Sequence, residues 1–78
     1  MALRDEVIEV EGPNGMFPVI VTAGALSALR PYAGAFHDGA SIVRLFRSMI
    51  AEIAREKRAD ALVDPDGWVR IDAVDVGD

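Results

Sequence analysis

Four arginines carry the sharpest chemical possibility in this chain. Arg44, Arg47, Arg55 and Arg58 lie within one stretch, SIVRLFRSMIAEIAREKR at 41–58. At helical pitch they fall within roughly 80° of one another. A guanidinium is a planar fork of donors that fits a carboxylate or a phosphate. Such a ridge can bind an acidic ligand, an acidic partner or nucleic acid. Within the stretch only Glu52 and Arg55 are opposite charges three residues apart, so the ridge is not neutralised along its own helix. The competing reading is a solvated helix face, whose cations near the C-terminus are favoured by the helix dipole.

The other reactive residue types lead away from catalysis. His37, beside Asp38, is the only imidazole. Alone it cannot form a two-histidine metal site, and no Ser-His-Asp order accompanies it. Ser27, Ser41 and Ser48 lack the context of a nucleophile elbow. Asp64 and Asp66 before Gly67 suggest a calcium loop, but alignment on the glycine places Leu62 and Ala73 where ligands belong. Gly12-Pro13-Asn14-Gly15 lacks the Lys-Ser/Thr and the helix start of a phosphate loop. There is no cysteine, hence no thiolate, disulfide or cysteine-held metal. The expectation is a protein that is not an enzyme and holds no cofactor and no metal.

These side chains must be positioned by a small fold. The chain has 78 residues and a net charge of −5. A domain this size buries only about 60% of the surface its unfolded chain exposes. Its core is thin, and a homodimer would relieve the shortage. Residues 41–58 hold five cations against Glu52 and Glu56, a net +3, which leaves −8 on the rest. The acidic total makes general nucleic-acid binding an unfavoured expectation. No apolar run reaches the roughly 18 residues of a membrane span, and the first twelve residues contain no signal-like stretch. A cytoplasmic protein with no membrane contact is expected.

Large apolar residues at Ile42, Leu45, Phe46, Met49, Ile50 and Ile53 recur three and four apart, which predicts one long amphipathic helix over 41–58. Residues 6–11, EVIEVE, alternate in part and predict a strand with one wet face. Pro13-Asn14-Gly15 turns the chain, and 16–21 form the return strand. Pro18 has no N–H to give, so this strand belongs at an edge or Pro18 sits at a non-bonded position. Thr22 caps a short helix over 23–29, which Pro31 ends. Residues 31–40 form a loop, where Tyr32 and Phe36 either make contacts or pack down on the sheet. Asp38 or Ser41 starts the long helix.

Asp64-Pro65-Asp66-Gly67 is a turn, and its flanks 61–63 and 68–72 predict a second hairpin. Val69 and Ile71 then point one way, while Trp68, Arg70 and Asp72 point the other. If that second face is wet, Trp68 and its apolar neighbours form an interface anchor. Val74 and Val76 keep the tail apolar, so it extends the strand or covers an edge. The expected fold is a single α+β domain with a small antiparallel sheet of two hairpins packed against one long helix. Its order is β-β-α(short)-α(long)-β-β.

The pattern resembles a family of short bacterial proteins known as domain of unknown function 1488. The matching residues are Val19-Ile20-Val21-Thr22 with Ala25-Leu26, then Phe46, Arg47 and Ile50. At the end they are Asp66-Gly67-Trp68-Val69-Arg70-Ile71 and Asp75. Ala25 departs from the family, which commonly has an acidic residue there. The resemblance covers most of 7–75 and implies a fold and a bacterial origin, but no activity, cofactor or catalytic set. Together these readings favour a non-enzymatic accessory module whose partner is a second copy or another protein. The alternative is a regulatory binder of an acidic ligand or nucleic acid through Arg44, Arg47, Arg55 and Arg58.

Overall fold

The computed structural model describes residues 3–34 and 38–77. His37 and Phe36 lie outside them. The element order is β1 (Glu6–Gly12), β2 (Gly15–Val21), α1 (Ala23–Leu29), α2 (Gly39–Leu45), α3 (Arg47–Ala59) and β3 (Val69–Ile71). Single 3₁₀ turns follow α1 at Arg30–Tyr32 and β3 at Ala73–Val76. The strands form one mixed sheet in the order β1-β2-β3.

The first hairpin forms as its alternation predicts. β1 and β2 pair antiparallel, with Val10 opposite Phe17 and Ile8 opposite Val19. Gly15, at φ +113°, supplies the backbone freedom the two-residue turn needs. Val10, Phe17, Val19 and Val21 are buried on the helix side.

β2 is the central strand, so the edge placement of Pro18 is corrected and its non-bonded placement holds. Pro18 lies opposite Glu9. A proline cannot donate across that pair, so Glu9 belongs to the non-bonded set, whose N–H and C=O point away from the partner strand. On its other side β2 meets β3, but that ladder begins only at Val19 and Val69. The missing donor therefore falls just before the second ladder starts.

The second hairpin is also corrected. β3 runs parallel to β2 and reaches it by a crossover through all three helices. Residues 61–63 do not form a strand because the first two of them end α3. The Leu62 N–H donates to the Lys57 carbonyl at 2.8 Å and the Ala61 N–H to the Arg58 carbonyl at 3.0 Å. That is the paired closure of a Schellman cap, with Ala61 left-handed at φ 60°. The 64–67 turn does form: the Gly67 N–H donates to the Asp64 carbonyl, and the Asp64 N–H to the Trp68 carbonyl, both at 2.8 Å.

The long helix is broken once. Phe46, at φ −104° and ψ 20°, separates α2 from α3, although its N–H still donates to Ile42 and its carbonyl accepts from Ile50. The bend follows packing, since α2 lies against α1 and β1 while α3 lies against β1 and β3. Asp38 starts α2, its carboxylate accepting from the Ser41 N–H at 3.0 Å. The tail forms the 3₁₀ turn beside α1 and does not extend a strand. Ile42, Ile50 and Ala54 from the helices meet Val69, Ile71 and the β2 valines in a single core.

Thr22 joins the two ends of this architecture. Its N–H and its hydroxyl both donate to the Ile71 carbonyl, at 3.0 and 3.1 Å. The same hydroxyl accepts from the Ala25 N–H at 3.2 Å, giving the predicted cap. The carboxylate of Asp5 accepts from the Ala23 N–H at 2.8 Å, a second cap on the same helix start.

Candidate functional site

The arginines do not form a free-standing ridge. α3 packs across the inner face of the sheet, and its long cationic side chains reach past the outer strands. Arg47 donates to the Glu9 carbonyl at 2.8 Å, and Arg55 to the Glu11 carbonyl at 2.9 Å. Both acceptors belong to the set on β1 that faces away from β2. Arg58 lies over the Phe17 ring, 4.4 Å from its centroid, in a cation–π contact. Arg44 is exposed and borders a shallow depression with Glu6, Ile8 and Val43. Among the described residues no carboxylate lies within salt-bridge distance of any of the four, the ion pairs being Lys57–Asp75 and Arg70–Asp64.

The opposite edge is tied off in the same way. The Lys57 ammonium donates to the Arg70 carbonyl on β3 at 2.6 Å and to Asp75 at 2.8 Å. Asp75 also accepts from the Asp72 N–H at 2.9 Å. Burial works against charge at Asp75, but the Asp72 N–H and the Lys57 ammonium outweigh it and hold the carboxyl below its ordinary range. At Asp38 the Ser41 side chain, and then its N–H, have the same lowering effect. An open strand edge is a template for another strand. Here α3 supplies cations to carbonyls on both outer strands, so strand addition meets occupied acceptors on either side.

Among the described residues the outer face of the sheet has no such cover. Val7 is 57% exposed and Met16 56%. Pro18 and Ile20 beside them are half-buried. Trp68, also half-buried, precedes β3 at the level of Pro18. None of these five belongs to the buried core or to the apolar residues packed against it. Glu9 and Glu11 flank this apolar strip on β1, and Arg70 flanks it on β3. Arg70 stands 3.4 Å from Asp64, its ion-pair partner.

Trp68 thus lies with the exposed apolar strip, while Arg47, Arg55 and Arg58 lie along the β1 edge and hairpin. The sequence reading assigned no site role to Lys57 or to the acidic pair Glu9 and Glu11. The glutamates had a signal in the β1 alternation, but the role of Lys57 depends on a crossover that no local pattern encodes. A cleft of about 410 Å³ lies between the hairpin turn and the end of α3, lined by Pro13, Phe17, Arg55 and Arg58 among others. Among the described residues no cluster of three or more His, Asp or Glu is placed to hold a metal. No described helix is long and apolar enough to cross a membrane.

Fold and surface together define a small α+β domain with a mixed three-stranded sheet, tied edges and one open face. No family model matches the chain, and neither curated proteins nor solved structures give a match.

Proposed function

We propose that this protein is a non-enzymatic interaction module that associates with a second copy of itself through the open face of its sheet. The uncovered strip of Val7, Met16, Pro18, Ile20 and Trp68 carries the reading, because contiguous exposed apolar surface marks an interaction site. With cations on both edges, face-to-face stacking is the mode of sheet pairing left open. Three strands spaced about 4.8 Å apart give a face of only about 300 Å². A standard interface buries about 800 Å² per partner, so the pairing is weak and depends on concentration. A bacterial origin, as the resemblance to domain of unknown function 1488 implies, and a cytoplasmic accessory role are the setting we propose.

Sedimentation equilibrium over a wide concentration range tests this reading. Mass should climb toward the dimer, and Val7→Glu with Met16→Glu should hold the chain at monomer mass while leaving its melting curve intact. A wild-type protein that stays monomeric at millimolar concentration would overturn the reading.

One observation favours a second reading. Arg44 on α2 and Arg47, Arg55 and Arg58 on α3 lack carboxylate partners among the described residues, as an acidic ligand would require. Heparin retention that falls steeply with salt would support it.

A further inference from the structure

The open face carries charge as well as apolar surface, and the charges are arranged asymmetrically. Glu9 and Glu11 stand on β1, and Arg70 stands on β3. Between them runs the apolar outer row of β2, Met16, Pro18 and Ile20. This inference rests on the pairing proposed above and asks how the two copies are oriented.

Two sheets stacked face to face by a two-fold axis in the plane between them have two limiting arrangements. With the axis along the strands, β1 of each copy lies over β3 of the other. With the axis across the strands, β1 lies over β1 and β3 over β3. β2 meets β2 in both, so the apolar contact does not choose between them. The charges do. The crosswise axis lays the acidic strand on its own copy: centred near Glu9 and Glu11 it sets glutamate against glutamate, and centred at Arg70 it sets arginine against arginine. The lengthwise axis sets each Arg70 over the partner strand that bears Glu9 and Glu11. Arg70 shares a rung with Ile20 and Val7, and Glu9 is on the next outward rung of β1. Stacked sheets lie about 10 Å apart, a gap that an arginine from one side and a glutamate from the other together span. The Asp64 contact uses one of the five N–H donors of Arg70.

We infer that the pair forms about an axis parallel to the strands, β1 on β3, with Arg70 of each copy meeting Glu9 of the other and Glu11 standing one outward rung beyond. Stacking the acidic strand on its own copy crowds like charges and forgoes the Arg70–Glu9 attraction, which favours the lengthwise axis.

Charge reversal tests the orientation, with dissociation constants read by sedimentation equilibrium. Arg70→Glu alone should weaken pairing about tenfold, and so should Glu9→Arg with Glu11→Arg. Combining all three reversals should restore it to within about threefold of wild type. The glutamate reversals separate this from simple net charge. They bring the chain from −5 toward neutrality, so overall repulsion alone would tighten pairing where the lengthwise axis loosens it. Glu9→Gln with Glu11→Gln adds no new charge, should loosen pairing by less, and stands in if a reversal lowers the melting temperature. Pairing that persists in wild type but ignores Arg70→Glu, or tightens with the glutamate reversals, overturns the orientation and leaves the module reading standing. Absence of pairing in wild type removes both.

Discussion

At the scale of single residues, two positions hold more of the fold than their size suggests. Thr22 is buried, and its hydroxyl serves a helix start and a strand end at once. Replacing it with valine keeps the shape and leaves the Ala25 N–H without its acceptor. Buried donors left unpaired cost about 1–3 kcal/mol. Chemical denaturation should show Thr22→Val less stable by that amount, and an unchanged midpoint would contradict the capping role. Ala61 works in the other direction. Its left-handed backbone at φ 60° costs an L-residue roughly 1 kcal/mol that glycine does not bear. Ala61→Gly should therefore stabilise the protein by about 0.5–1 kcal/mol in the same measurement. The threonine cap was legible in the sequence, since threonine before a short apolar run is a helix-start signal. The Ala61 turn was not, because glycine or asparagine is the usual signal for a left-handed helix end and alanine carries none.

Elements succeed or fail on how local their information is. The first hairpin was legible because Pro13-Asn14-Gly15 and the flanking alternation are contiguous in the chain. The helix face was legible from its spacing, and only its break at Phe46 was hidden, since that bend answers to packing on two different neighbours. Ala61-Leu62-Val63 looked like a strand because its composition is apolar, yet two of its N–H groups serve the helix end. The closing 3₁₀ turn is held by Lys57 and Asp75, a link between α3 and the tail. The Asp75 carboxyl is held below its ordinary range in the folded protein. Its contribution is therefore complete above the unfolded carboxylate pKa, near 3.9, and is lost as pH falls through the lower folded value. Asp75→Asn should be less stable than wild type at neutral pH, with the gap closing below about pH 4. Melting temperatures across pH 2–7 would show it, and a gap of constant size would contradict it.

For the whole molecule, the decisive arrangement was the least legible. A parallel β2–β3 pair joins residues far apart in sequence, and no window of the chain announces it. With it come the edge contacts of Arg47, Arg55 and Lys57, which turn a ridge expected to face solvent into a brace around the sheet. Arg44, Arg47, Arg55 and Arg58 were found by residue type; what three of them touch required the topology. Val69 and Ile71 were assigned to one side by alternation alone, and both are buried.

The order of synthesis gives Pro18 a further consequence. The hairpin is made before the strand that completes the sheet. Throughout that interval one flank of β2 waits without its neighbour, and an unpaired flank invites the wrong chain. A proline in the middle of that flank interrupts its row of donors. The gap in donors at Pro18 works against such mispairing until β3 is made.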